Sequence, residues 1–280
     1  GVIFLYYIQE ADKPIFWLKL FDVITVSSDK IILPSAKKQT KLAEKTKKIL
    51  DMSNCRKVVL SKKVKEYLEY VNCLYSYQID IADGKWLFEM LTLKALDFIV
   101  KCKELKKEEI AISILVNDLT EATLNNIKSI AKQYKRINIV TNHIEKYKKI
   151  EKMLFDDYGV MVTIVNNKKK SLTKSQIILN VDFPTELINK YNIYEEAIIL
   201  NLKRNVKITR KRFDGLCIND YQIAFPKARK LDMDIVNKYD LVEVYEAEFY
   251  KKMPYKNVME KLEKDGVEII SLSSKYSELK

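Results

Sequence analysis

Between Ile110 and Leu202 the chain alternates short, uninterrupted apolar runs with longer segments of helical period. Few architectures accept that pattern. The runs Ile110–Val116, Ile137–Val140, Val160–Val165, Gln176–Val181 and Ala197–Leu202 lack the polar alternation of a strand with one wet face. Strands buried on both faces read this way, and they belong to parallel sheets. Thr120–Tyr134 and Ile144–Tyr158 carry the helical spacing, and Gly159 follows the second where a helix needs left-handed backbone to stop. A turn or short helix is expected from Pro184. Right-handed crossovers between such strands produce a doubly wound parallel sheet.

The flanking sequence fits an α/β class with two lobes. Val2–Ile8, Phe16–Val26, Lys30–Leu33 and Lys57–Leu60 read as extended, and Ser35–Leu50 as a lysine-studded helix with Leu42, Ile49 and Leu50 inward. From Asp83-Gly84 a long helix begins, with Trp86, Leu87, Met90, Leu91, Leu93, Ala95, Leu96, Phe98 and Ile99 giving a broad apolar surface. The expected division is an N-terminal α/β domain over 1–82, a linking helix over 83–108 and a Rossmann-like domain over 109–204. Residues 205–280 are then left to pack on the cleft or on the N-terminal lobe. In that last section Leu241–Tyr250 reads as a strand, Pro254–Lys264 as a helix stopped by Gly266, and Val267–Leu272 as a final strand. With only 5 Gly and 5 Pro in 280 residues, long regular elements are expected.

Several function classes are set aside by composition. Cys55, Cys73, Cys102 and Cys217 form no C-x-x-C pair, which argues against a zinc ribbon or redox motif and for reduced, buried thiols in a cytoplasmic protein. A single histidine, His143, leaves no His-rich metal site, and no metal is expected. No G-x-S-x-G elbow accompanies His143. The apolar opening from Val2 to Ile8 is too short to span a bilayer and lacks a signal-peptide cleavage pattern, so no membrane partner is expected. Gly1, standing in place of an initiator Met, is set aside as a processed or added end.

In a doubly wound sheet the ligand crevice lies beyond the carboxyl ends of the strands. Those ends carry Asn117-Asp118, Thr141-Asn142-His143, Asn166-Asn167 and Asn180-Val181-Asp182. Asn117, Asp118, Asn142, Asn180 and Asp182 are therefore candidates for hydrogen bonds to a ribose or another polyol. The same residue types are also the ordinary caps of helices and turns. The turn after the first strand reads Val116-Asn117-Asp118-Leu119-Thr120-Glu121, with none of the glycines that let a pyrophosphate approach a helix N-terminus. Asp118 and Glu121 add negative charge where phosphate would sit.

Ile81-Ala82-Asp83-Gly84-Lys85-Trp86-Leu87-Phe88, followed by a helix and a βα-alternating unit, resembles the T-D-G stretch and linking helix of shikimate dehydrogenases. Ile177-Ile178-Leu179-Asn180-Val181-Asp182-Phe183-Pro184 is similar to that family's I-I-N-A-T-P, and Gln222 with Ala224-Phe225 falls where its substrate glutamine lies. The resemblance covers residues 81–225 in outline. It implies a two-lobed Rossmann enzyme using NAD or NADP, with Asp83 and Gln222 as substrate contacts. The family's S-L-S-P-type opening with its catalytic lysine has no counterpart, and the glycine-rich turn is missing. A relative that kept the architecture and lost the chemistry fits these departures better than an active dehydrogenase.

The chain has 50 Lys and Arg against 38 Asp and Glu, a net charge of +12. Most of the cations are lysines distributed along the whole chain, as a solvated surface or an AT-rich genome would give. The run Lys203–Arg212 departs from that, holding Arg204, Arg210 and Arg212. Its alternation of Val206 and Ile208 with Lys207 and Thr209 suggests an edge strand or extended segment presenting cations on one face. Lys207, Arg210 and Arg212 are thus anion-binding candidates, against the alternative of a lysine-protected sheet edge. Three functions follow: a small metabolite or nucleotide bound without classical pyrophosphate recognition, in a non-catalytic or regulatory role; a shikimate-type NAD(P) oxidoreductase; or nucleic-acid binding through the basic run.

Overall fold

The computed structural model describes residues 6–10, 17–20, 23–27, 35–52, 57–224, 239–249, 253–274 and 277–280. The expected strand at Lys30–Leu33 and Cys55 lie outside the described residues. The chain divides into two compact units, one made of 1–84 with 225–253 and the other of 85–224 with 254–280.

The first unit is built on a five-stranded sheet. Its strands are β1 (Tyr6–Glu10), β2 (Trp17–Leu20), β3 (Val23–Ser27), β4 (Lys57–Leu60) and β5 (Asp80–Ile81), in the order β2-β3-β1-β4-β5. All neighbours are parallel except β2 with β3, so Phe16–Val26 holds an antiparallel pair where one extended run was expected. Helices α1 (Ala36–Met52) and α2 (Leu68–Ser76) cover β4 from one side. Because strand side chains alternate, Val58 and Leu60 join Ala43, Leu50, Tyr70 and Leu74, while Val59 joins Ala82, Tyr239, Val244 and Ala247. A hydrogen bond of 2.9 Å between Thr46 Oγ1 and the Tyr70 hydroxyl ties the two helices at their buried faces.

The strand expected over Leu241–Tyr250 does not form in its described part, because Leu241–Glu246 is a helix, α8 in the numbering used below. The Val-Glu-Val-Tyr alternation mimics a strand, but the termini decide otherwise. Asp240 caps the helix by accepting from the Val242 N–H at 2.9 Å. The buried Lys57 ammonium donates to the carbonyls of Glu246 and Phe249 at its other end. Glu243 on this helix is buried beside Lys65, with which it forms an ion pair. Burial raises its carboxyl to about 7 against the opposing pull of Lys65, with Asp240 and Glu246 adding to the rise.

The second unit holds a six-stranded, wholly parallel sheet. Its strands are β6 (Ala111–Leu115), β7 (Arg136–Val140), β8 (Val162–Val165), β9 (Ile177–Asn180), β10 (Ile198–Asn201) and β11 (Leu216–Ile218). They run in the order β11-β10-β9-β6-β7-β8. Counted from β6, that is the 3-2-1-4-5-6 order of a Rossmann fold, with its switch point between β6 and β9. Helices α5 (Glu121–Ala131) and α6 (Ile144–Tyr158) make the first two crossovers. Gly159 ends α6 at φ 65°, with the Val160 N–H on the Leu154 carbonyl, as the spacing predicts.

The later crossovers shrink. Between β9 and β10 only the single turn α7 (Thr185–Ile188) remains, and 203–212 contains no strand. No edge strand forms there, but the alternative of an extended segment holds in its alternation: Lys207 and Thr209 face out while Val206 and Ile208 turn inward as plugs. They pack with Leu172, Phe183, Ile188 and Tyr191 over Ile178 and Ile199, so irregular segments cover a face that helices usually cover. The helix expected from residue 83 is present as α3 (Lys85–Met90) and α4 (Thr92–Cys102), interrupted at Leu91. Strands β12 (Asp220–Ala224), β13 (Glu268–Ser273) and β14 (Glu278–Leu279) form a separate antiparallel sheet, and α9 (Tyr255–Lys264) precedes β13. The residues 205–280 are therefore shared between the two units.

Two outcomes follow for stability. Gly215 sits where a Cβ would lie 2.1 Å from the Ala197 carbonyl oxygen, whereas Gly159 faces open space. Gly215→Ala should cost at least ~1–3 kcal/mol by overpacking, and Gly159→Ala about 1–2 kcal/mol through its left-handed backbone alone; urea midpoints at constant m rank the two. For Glu243 the folded carboxyl titrates above its unfolded value of 4.5. The unfolded chain therefore loses its proton first as pH rises, and stability present below pH 4.5 is lost toward pH 7, by on the order of 3 kcal/mol. Glu243→Gln should flatten that slope in denaturation curves taken across the same window.

Candidate functional site

The carboxyl edge of the β6–β11 sheet is where the fold directs a ligand, and polar side chains of the protein already occupy much of it. At the switch point the Asp182 carboxylate, just past β9, accepts the Asn117 N–H at 2.9 and 3.1 Å and the Asp118 N–H at 2.7 Å. Those amides begin the turn that binds pyrophosphate in a dinucleotide fold. Here a carboxylate fills the anion's place.

The next helix start is also satisfied from within. Thr120 caps α5 by accepting the Thr123 N–H at 3.1 Å. Glu89, buried on α3, accepts the Thr123 hydroxyl at 2.8 Å and the Thr120 hydroxyl at 3.3 Å, and pairs with Lys203 at 3.4 Å. Glu89 is not among the strand-end candidates that the sequence singles out. The signal available was a carboxylate on an otherwise apolar helical face between Phe88 and Met90.

Farther along the edge, buried amides link successive strands. Asn180 holds the Phe183 N–H and carbonyl at 2.9 and 3.0 Å and donates to Asn201 Oδ1 at 2.9 Å. Asn201 in turn donates to the Ile218 carbonyl at 3.0 Å and to Asn219 Oδ1 at 3.1 Å. Asn219 closes the chain on the Val206 backbone at 2.8 and 2.9 Å. Asn180 and Asn201 are almost wholly inaccessible, so their amides serve the strand ends.

One part of the edge stays open. Asp118, Asn142, His143, Ile144, Glu145, Lys146 and Asn166 surround a depression of about 570 Å³ at the ends of β6, β7 and β8. Asn117 fixes one wall by accepting the Asn142 N–H at 3.0 Å, and Thr141 holds the His143 N–H at 3.1 Å. The start of α6 faces this space with no side-chain cap from His143. Beneath it, Tyr147 buries its hydroxyl without a hydrogen-bond partner among the described residues, and burial, with Asp182 and Asp118 nearby, holds that phenol well above its ordinary range.

The remaining candidates separate. Asp83 belongs to the first unit, where its N–H donates to the buried Glu246 carboxylate at 3.3 Å; Gln222 is exposed on β12 in the second. Lys207 and Arg212 are exposed, and Arg210 donates to Asn192 Oδ1 at 3.1 Å. Cys73, Cys102 and Cys217 are free thiols, each only half-buried where full burial was expected. Among the described residues no three His, Cys, Asp or Glu converge as a metal site, and no helix is long and apolar enough to cross a membrane.

Strand order and edge chemistry together define an α/β protein with a Rossmann-like sheet whose phosphate turn is internally occupied. No protein-family model matches the chain, and no curated protein sequence matches it. Among solved structures it is similar to an ornithine carbamoyltransferase from Pyrococcus furiosus, with 9% identity, a TM-score of 0.31, and 75% of this chain and 74% of that one covered. An L-tryptophan dehydrogenase from Nostoc punctiforme gives 8% identity, a TM-score of 0.33, and 64% and 50% coverage. A shikimate 5-dehydrogenase-like protein gives 10%, 0.26, and 70% and 76%. The resemblance to shikimate-dehydrogenase-like Rossmann proteins is a weak one.

Asp182→Ala should cost about 1–3 kcal/mol in urea unfolding, the range for losing hydrogen bonds to a charged acceptor. Asp182→Asn should cost less. In hydrogen exchange the Asn117 and Asp118 amides should lose protection before their neighbours in β6.

Proposed function

We propose that the second unit binds a small polyhydroxylated metabolite or a nucleoside-type ligand in the depression at the ends of β6–β8, in a non-catalytic role. The observation that carries this reading is the pairing of acceptors with uncommitted donors around one space. Asp118 and Glu145 offer carboxylates to ligand hydroxyls, and Asn142 and Asn166 offer amides of both senses. The first turn of α6 and Lys146 supply donors for a ligand acceptor. That complement suits a ribose or polyol better than a diphosphate, because two carboxylates line the rim and Asp182 already holds the Asn117 and Asp118 amides.

The non-catalytic part rests on His143. Its imidazole is exposed and accepts or donates no hydrogen bond among the described residues, so nothing orients it against Asp118 or Glu145 as a catalytic acid, base or nucleophile would be. An NAD(P)-dependent oxidoreductase of the shikimate type is the reading this one displaces.

Calorimetric titration of the full chain with adenosine, AMP, quinate, NAD⁺ and NADH tests the proposal. Adenosine or quinate should bind, and NAD⁺ should bind no more tightly than adenosine. Asn142→Ala and Asn166→Ala should each weaken binding by about 3- to 10-fold, as loss of one hydrogen bond predicts. The Asn142 backbone bond to Asn117 survives that substitution, so the fold is retained. Absence of heat from every compound, or reduction of a keto acid with NADPH, would overturn the assignment.

A further inference from the structure

The basic run is one third of a larger surface. Residues 159–181, 187–194 and 203–213 contain eleven Lys and Arg and no Asp or Glu, in a chain whose net charge is +12. The fold draws parts of all three segments together. The Asn192 N–H donates to the Lys168 carbonyl at 2.7 Å and its amide to the Lys169 carbonyl at 3.4 Å, while its Oδ1 accepts from Arg210 at 3.1 Å. Asn189 donates to the Lys207 carbonyl at 2.8 Å and accepts the Thr209 N–H at 3.0 Å. Asn167 fixes the turn at 167–170 in the first segment by accepting the Lys169 and Lys170 N–H groups at 3.0 and 3.2 Å.

Two neutral asparagines thus fasten three cationic segments, with exposed Glu186, Glu195, Glu196 and Asp214 at their margins. Lys168–Lys170, Lys190, Lys207, Lys211 and Arg212 are exposed, and none of them forms an ion pair among the described residues. Exposed lysines on a neutral surface usually sit among carboxylates, as Lys148 does beside Glu145 at 2.6 Å. Here the like charges repel one another. Val206 and Ile208, packed under the segment, hold it in place despite that repulsion.

We infer that this surface binds the phosphodiester backbone of a nucleic acid. Clustered cations held in fixed positions release counterions from a regularly spaced polyanion, and guanidinium groups at Arg210 and Arg212 match phosphate geometry. Met161 and Tyr194 are exposed at the margins of the three segments, but no large exposed apolar side chain lies within the fastened stretches 167–170, 189–192 and 207–212, so the wedge that seats an amphipathic surface in lipid is missing there. The surface does not depend on the depression at β6–β8, and either assignment can fail alone.

The test is fluorescence anisotropy of the full chain with a labelled 20-base-pair DNA duplex and a 20-nucleotide RNA, titrated between 50 and 200 mM salt, lengths and range of about the scale on which counterion release is read. Both should bind, with log K falling linearly against log salt. Lys169→Glu/Lys190→Glu/Arg212→Glu, one change per segment, should weaken binding at least about tenfold and flatten the slope by about one unit for each lost phosphate contact. Lys37→Glu/Lys41→Glu/Lys48→Glu on α1 makes the same change in net charge elsewhere and should leave both nearly unchanged; circular dichroism confirms that each variant is folded. Equal weakening by the two triple variants, no binding at the lowest salt, or binding only to phosphatidylserine vesicles would each sink the proposal.

Discussion

The carboxyl edge of the parallel sheet depends on carboxamide and carboxylate side chains that satisfy the chain's own backbone. Where β6, β9, β10 and β11 end, their peptide groups leave the ladder and need partners. Asp182 serves the turn after β6, Asn180 the turn after β9, and Asn201 and Asn219 the stretch from β10 through β11 to the Val206 loop. Each bond contributes modestly, about 1 kcal/mol net for a neutral pair. Their removal from buried positions costs more, because Asn201 is wholly inaccessible and no water can take the place of its amide. The arrangement lets Rossmann topology persist without its glycines: the tight approach those residues permit is unnecessary when the anion is a side chain of the protein.

The same substitution explains how the second half of the sheet manages with so little helix. A crossover of one turn, α7, cannot bury a sheet face by itself. α7 supplies Ile188, and Phe183, Tyr191 and Val206 are delivered by irregular segments whose backbones Asn180, Asn189 and Asn219 secure. In the first unit, lysine and acid side chains do comparable service for α8. Asp240 caps its start and Lys57 its end, and these two contacts overrule a β-like alternation.

The parallel sheet was legible because strands buried on both faces leave an unmistakable apolar run, and α6 with Gly159 was legible because caps are local. Strand order was not, since β9 pairs with β6 across two complete crossovers and no residue near Ile177 announces it. The site was legible only as a set of positions. Asn117, Asn142, Asn180 and Asp182 all lie along the carboxyl edge, but residue type does not tell an amide that faces inward from one that faces a ligand. Asn180 is enclosed and Asn142 exposed, yet both stand at a strand end and precede a turn. Burial makes the difference, and burial is a property of the assembled sheet.

Charge posed the same difficulty at longer range. Along the sequence, Lys168–Lys170, Lys190 and Lys207–Arg212 are separated by β9, α7 and β10, and each resembles the scattered lysines of a solvated surface. The short crossovers change that. A full helix between β9 and β10 would place some fifteen angstroms or more of regular structure, about 1.5 Å per residue, between these segments. With only α7 there, Asn189 and Asn192 can reach both neighbouring loops. The loss of helix that leaves the sheet half covered by coil is therefore also what concentrates the positive charge on one face. Charge repulsion across that face is borne by apolar packing below it and by hydrogen bonds within it.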